Sequence, residues 1–425
     1  MLNKKVLIVS NECLSKTTSN GRTMLNLFLG YPPSLLAQFY IHGTPDESVC
    51  NNYFRVSDKD ALNAFLIRRT KNTQPYKTSS GPSHDKKIAR NFKNMVLRDM
   101  VWMSFKWWNK DFELFISNFS PDIVLLQAGD CPFMFAIARK ISKKYGIPLI
   151  MYNSESYVLK KKLYYSARPY SPWHCILLSR LKYEYKRFMN SCSFCIYSME
   201  QLEEAYQEVY PHPGKSRTIY TSSSIIPDKN NINKTINKPF TIAYCGNFGV
   251  GRVKPILELA DVLYNLDSNV RLILCGTIKS PEDLELIRRH PTIDYRGFIG
   301  YDEVINVLKN SSMVMHCENA DRLKELKYAF STKIADSLAC GTPFLVYATR
   351  DYPFVQYLEK HSAAHIAGDK EELERILKKC LTDTDYLLKP VSNALSLVEK
   401  NHNIENNALI FQNIINSVCS GNMNI

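Results

Sequence analysis

The chain has 425 residues and 45% hydrophobic content, which suits two globular domains with ordinary cores. No apolar run approaches the roughly 18 residues of a membrane-spanning helix, and twelve scattered cysteines do not read as a disulfide framework. The net charge of +13 is asymmetric: residues 1–225 hold 31 basic and 17 acidic side chains, the remainder 23 and 24, so one domain is expected to face a polyanion, either nucleic acid or an anionic membrane.

Residues 5–10, "KVLIVS", form a buried strand pattern, too short for a signal-peptide core. The reading therefore keeps the chain in the cytoplasm. A loop "SNGRT" (Ser19 to Thr23) follows, then a helical pattern "MLNLFL". The stretch Lys86 to Lys110 places Phe92, Val96, Met100, Met103 and Trp107 near one helical stripe, surrounded by Lys and Arg. It reads either as a basic amphipathic helix lying on an anionic membrane or as a core-packing helix with a solvated basic face. Further strands are expected at "LAQFYIH", "DIVLLQA" and "PLIMYN", with an amphipathic helix ending at Gly146 between the last two. Cys192 and Cys195 lack a second pair, so no zinc site is expected.

Residues 227–239 are polar and aperiodic and read as a linker. A second series follows: "TIAYCGN", "VRLILCG", "IDYRGF", "MVMHCE" and "FLVYA" as strands, with helical patterns between them. Strands alternating with helices predict doubly wound parallel sheets, here an N-terminal domain 1–226 and a C-terminal domain 240–397 facing across a cleft. Residues 398–425 form a last helical segment. Ligands of such sheets bind beyond the carboxyl ends of the strands.

Two loops there carry chemistry. In "YCGNFGVGRVK", Gly246, Gly249 and Gly251 let backbone approach a ligand, and Arg252 and Lys254 add charge at a helix start. The spacing is not the dinucleotide G-x-G-x-x-G. In "FSTKIADSLACGTPF", Ser331 and Thr332 fit helix N-capping positions beside Lys333, an arrangement suited to phosphate, and Asp336 is placed to accept ribose hydroxyls. Glycine turns with surface cations, and a well-capped surface helix, are the plainer readings of the same residues.

From Tyr244 to Tyr347 the chain resembles the donor-binding domain of retaining GT-B glycosyltransferases, broadly glycosyltransferase family 4 of the bacterial capsule and O-antigen type. The matching motifs are "YCGNFGVGRVK", "LILCG", "IDYRGFI", "YDEVINVLKNS" and "DSLACGTPFLV". The resemblance implies a metal-independent transferase that needs no cofactor and uses a nucleotide diphosphate sugar as donor. It implies a lipid-linked or glycan acceptor in surface polysaccharide synthesis at the inner face of the cell membrane, and a last helix that crosses back to the first domain. In the family's E-x(7)-E element the second acid, a ribose ligand, falls on Asp336; the first, a donor-sugar contact, falls on Tyr328. Phe298 follows the "YRG" strand end and joins the expected donor contacts. Glu325 stands near the missing acid at a different spacing. In the N-terminal half Gly21, with Arg22, is expected near donor phosphates. The family's histidine after the "IPLIMY" strand is absent, leaving Asn153 and Glu155 as polar candidates, the latter also a possible helix cap. The rival readings are a sugar-nucleotide epimerase of the same fold, with Glu155 as its acid or base, and a nucleic-acid binder, for which no reader motif is present.

Overall fold

The computed structural model describes residues 4–16, 19–66, 90–163, 171–227 and 238–421. They form two compact units, Met1–Tyr220 with Glu405–Ile425 and Thr221–Ile404. Of the expected linker, residues 228–237 lie outside the described residues, as do Lys86 and Lys87.

The first unit holds a seven-stranded sheet: β1 (Val6–Val9), β2 (Leu36–Tyr40), β3 (Asn52–Arg55), β4 (Ile123–Gln127), β5 (Leu149–Asn153), β6 (Phe194–Tyr197) and β7 (Ser216–Thr218). Their order is β3-β2-β1-β4-β5-β6-β7, and every pairing is parallel. β1, β2, β5 and β6 are buried throughout, as strands covered on both faces must be. The helix Pro132–Tyr145 stops at Gly146, whose left-handed backbone returns its N–H to the Ser142 carbonyl. The last helix, Ile404–Ser420, sets Phe411, Ile414, Ile415 and Val418 into the core built on Val6 and Ile8.

Two expectations in this unit change. "SNGRT" is not a loop but the first part of the helix Ser19–Leu27. Gly21, Met24 and Leu27 follow helical spacing and are all buried, so the apolar face extends back to the glycine. The tryptophans of the basic stretch are not at the surface: Trp102 and Trp107 are buried and stack with Phe39 and Phe133. The helix is Phe92–Met103, with Phe92 and Val96 buried, and Arg98 turns inward to Asp58 at 2.7 Å. Phe92, Val96 and Trp107 of the expected stripe therefore pack in the core, while Met100 is exposed.

The second unit holds β8 (Thr241–Cys245), β9 (Arg271–Cys275), β10 (Ile293–Gly297), β11 (Met313–Cys317), β12 (Phe344–Tyr347) and β13 (His365–Ala367). The order is β10-β9-β8-β11-β12-β13, again all parallel. In each sheet the winding reverses once, between β1 and β4 in the first and between β8 and β11 in the second. Loops leaving the carboxyl ends diverge at such points and open a crevice.

Candidate functional site

At the reversal point of the second unit, β8 and β9 end in Gly246 and Gly276. Both glycines lie at positive φ, 152° and 140°. A Cβ on Gly276 would overlap the Gly246 carbonyl oxygen, and one on Gly246 would sit 2.5 Å from Lys333 Cε. Glycine is thus required at Gly276 for the close approach of two backbones, and at Gly246 it leaves room for the stem of a lysine.

Lys333 comes from the helix Thr332–Ala339, which Ser331 caps by accepting the Lys333 N–H at 3.4 Å. Its ammonium crosses Gly246 and donates to the Tyr244 hydroxyl at 3.1 Å, 5.1 Å from the Tyr244 ring centre. Burial, reinforced by the nearby Arg252 charge, pushes this ammonium down to about 7.

Arg252 precedes the helix Val253–Leu266. Its guanidinium is buried and grips Glu318 with two bonds, Nε to Oε2 at 3.0 Å and Nη2 to Oε1 at 2.5 Å. A further N–H donates to the Asn247 carbonyl at 3.3 Å. Glu318 directly follows β11, so the pair bridges the two strands at which the sheet reverses. His316 Nε2 lies 3.2 Å from Glu318 Oε1. A carboxylate only accepts, so Nε2 carries the hydrogen and Nδ1 is the bare nitrogen, buried with no partner among the described residues. Burial pushes the imidazole down to about 4. Burial also acts to raise the Glu318 carboxyl, but His316 and Arg252 outweigh it and hold it at about 2.

The loop between β8 and Arg252 is fixed by its own bonds. Tyr244 donates to the Asn247 carbonyl at 2.8 Å, Gly249 N–H to Asn247 Oδ1 at 2.8 Å, and Asn319 to the Gly251 carbonyl at 3.2 Å. The structure thus brings together Arg252, Lys333, the glycine loop and the capped helix start with Thr332. It does not bring in Lys254, which is exposed beside Asp321 at 3.7 Å. Phe298 is 83% exposed beyond β10. Tyr328 is half-buried with Lys327 over its ring, and Glu325 is bonded to Arg322 at 3.2 Å.

Asp336 is engaged within its own unit. It is 7% exposed, and its Oδ1 accepts the Ser223 hydroxyl at 2.6 Å and the Tyr301 hydroxyl at 3.1 Å. On this eight-residue helix residues 334–339 are all buried, and the side chain one turn past Thr332 sits among these partners. Its carboxylate ties the Ser223 segment to the helix.

In the first unit the reversal between β1 and β4 opens a cavity of about 240 Å³. Asn11 and Glu12 follow β1, Asp130 follows β4 and Glu155 follows β5; all line it. Arg90 pairs with Asp130 at 2.5 Å and Lys160 with Glu155. Asn153 is fully buried and accepts the Glu155 N–H at 3.4 Å. Gly21 lies in the buried face of its helix.

Sequence reasoning missed Glu318, His316, Tyr244, Ser223 and Tyr301. Only Glu318 carried a signal, as the acid directly after a strand.

A family model described as glycosyl transferase-like matches residues 257–413, less than half of the chain. No curated protein matches it. Solved structures similar over nearly its whole length include HepE of Anabaena in complex with UDP and glucose, with a TM-score of 0.63 at 13% identity over 98% of this chain and 100% of that one. Sucrose-phosphate synthase of Thermosynechococcus elongatus has a TM-score of 0.63 at 12% identity, covering 98% of this chain and 100% of the other. WaaG, a glycosyltransferase involved in lipopolysaccharide biosynthesis, has 0.53 at 13%, covering 96% and 99%. At these identities the likeness is one of fold: the chain has the two parallel-sheet α/β units of the GT-B glycosyltransferases.

Proposed function

We propose that the protein is a glycosyltransferase that moves a sugar, with retention of configuration, from a nucleoside diphosphate sugar to a lipid-linked or glycan acceptor in surface polysaccharide synthesis. The observation that carries this reading is the Arg252–Glu318 pair with Lys333 beside it, at the reversal point of the second sheet. When the glycosidic bond breaks, negative charge grows on the leaving diphosphate. Fixed cations and N–H groups aimed at that position lower the barrier, and in this reading they do so without a metal. Lys333 reaches the diphosphate, the Ser331–Thr332 helix start and the Gly249–Gly251 loop offer backbone N–H groups, and Arg252 supplies a charge held in place by Glu318. Tyr328 and Phe298 are assigned to the sugar and base end of the donor. The cavity at Glu155 in the first unit is assigned to the acceptor.

UDP is the favoured nucleotide, since HepE is complexed with UDP, with UDP and glucose, and with UDP-glucose. A UDP co-structure of MnaA from S. aureus, with a TM-score of 0.52 at 13% identity, shares the fold, so fold alone does not decide the reaction. In the second unit, however, Glu318 is held by Arg252 and by His316, which engages that carboxylate rather than standing free as an acid.

Calorimetry with UDP, GDP, ADP and their sugars tests the donor site, and UDP is expected to bind. Mass spectrometry of the product separates the reactions: transfer releases free nucleoside diphosphate, epimerisation an isomerised sugar nucleotide. A chain that binds none of these nucleotides would overturn the proposal.

A further inference from the structure

Two helices of the first unit pack along each other, Phe92–Met103 and Pro172–Met189. The Phe92 ring meets His174 at 5.0 Å, and seven residues on, Asp99 accepts the Arg180 guanidinium at 3.1 Å. Both contacts advance in the same sense, so the helices run in the same direction. Their inner faces account for the core: Leu177, Leu181 and Phe188 on the longer helix are buried. The outer faces are not what solvent alone would select.

On the longer helix, Trp173, Ile176, Arg180, Tyr183 and Arg187 recur at steps of three and four, a single stripe. Trp173, Ile176 and Tyr183 are 38%, 44% and 53% exposed. The guanidinium carbons of Arg180 and Arg187 stand 5.7 and 5.4 Å from the Tyr183 ring centre. The neighbouring helix repeats the pattern with exposed Lys93, Leu97 and Met100 at steps of four and three. The one acid of the longer helix, Glu184, is buried and pairs with Arg180, Arg139 and, at 3.8 Å, Arg187; set against Glu184 and Asp99, the Lys93, Arg98, Arg180, Lys182, Lys186 and Arg187 side chains leave the two helices a surplus of cations.

We infer that this two-helix face, and not the buried tryptophans of the Phe92–Met103 region, docks on an anionic lipid bilayer. Charge complementarity selects the occupant. The first 225 residues carry 31 basic against 17 acidic side chains, and the face adds cations without exposed acids of its own. Arginines and lysines are drawn to anionic headgroups, while a tryptophan, a tyrosine and aliphatic side chains enter the headgroup–acyl boundary. A second copy of the chain would set like charges opposite each other. Nucleic acid would leave Ile176, Leu97 and Met100 without a role. No described helix is long and apolar enough to span a membrane, so the contact is one of lying on the surface. The inference is independent of the transfer chemistry, although it would place a lipid-linked acceptor within reach.

Co-sedimentation of the full chain tests it. Vesicles of equal parts phosphatidylcholine and phosphatidylglycerol are expected to bring the chain down; phosphatidylcholine alone is not, and added salt should release it. The double variant Trp173→Ser with Ile176→Ser should weaken partition about tenfold or more, because two apolar side chains no longer leave water. Arg187→Gln with Lys93→Gln should weaken it by a similar factor. Both variants are on exposed positions and should retain the wild-type melting temperature and UDP affinity. A wild-type chain that stays in solution with anionic vesicles, variants that sediment like wild type, or sedimentation showing a dimer that Trp173→Ser breaks would each overturn the inference. Loss of UDP binding in all chains, with vesicle binding intact, would instead overturn the donor reading.

Discussion

Gly246→Ala separates the two demands made on the strand-end glycines. The added Cβ would stand 2.5 Å from Lys333 Cε and 2.7 Å from Nζ. These are the far atoms of a flexible side chain, so the lysine moves and the backbone stays. The positive φ adds strain of roughly 1–3 kcal/mol. The main loss is in binding: Lys333 leaves Tyr244 and no longer presents its charge to a diphosphate. A charge-assisted hydrogen bond contributes about 1.5–3 kcal/mol, so UDP affinity should fall by about 10- to 100-fold. Gly276→Ala differs, because its Cβ meets the Gly246 carbonyl, which is backbone. That variant should lose more than about 4 kcal/mol of stability, the range of the most disruptive substitutions. Thermal melts and calorimetry with UDP measure both. A Gly246→Ala protein that binds UDP as tightly as wild type would show that Lys333 does not serve the site.

The remaining predictions concern the same cluster. A diphosphate should restore the Lys333 proton, so UDP binding near pH 8.5 should take up close to one proton, visible as a dependence of the calorimetric heat on the buffer's ionisation enthalpy and absent in Lys333→Gln. Affinity should fall as pH rises above 7, at up to about tenfold per unit. For stability the sign is opposite: between pH 7 and the ordinary lysine value of 10.5 the unfolded chain holds a proton that the folded chain lacks, so this group makes stability rise with pH over that window. Glu318→Gln strands the buried Arg252 charge and should lower stability by about 3 kcal/mol or more while leaving UDP affinity equal or tighter, since phosphate can replace the lost carboxylate; an unchanged melting temperature would count against the pair. Lys254→Ala should leave turnover within about threefold of wild type, against a loss of order 100-fold for Lys333→Ala. Asp336→Ala should act through stability, with a lower melting temperature and nearly unchanged UDP affinity, because Ser223 and Tyr301 lose their acceptor.

The fold was legible where strands are buried on both faces. Val6–Val9, Ile123–Gln127, Met313–Cys317 and Phe344–Tyr347 are nearly continuous apolar stretches, and each became a strand. The short edge strand Ser216–Thr218 has no buried residue and left no pattern to read. Ser19–Thr23 looked like a loop because glycine and hydroxyl residues favour turns, but packing of Met24 and Leu27 overrode that tendency. In the site, the glycines and cations stood out because each is a local signal next to a strand. Their partners did not. Glu318 is 66 residues from Arg252, and Ser223 is 113 from Asp336. The first pairing follows from which strands become neighbours; for the second, a helix pattern shows that a side chain has a face, not what fills the other side of it.

The commitment of Arg252 to Glu318 also bears on which anions the resting cluster attracts. At neutral pH the resting cluster holds a guanidinium, a carboxylate, a neutral imidazole and an amine whose hold on its proton is weakened by burial. Its standing field is therefore small. A small standing field is expected to attract chloride and inorganic phosphate weakly. In the proposed donor site, a diphosphate beside Lys333 would restore the proton that burial weakens, so the site would gain positive charge as it binds.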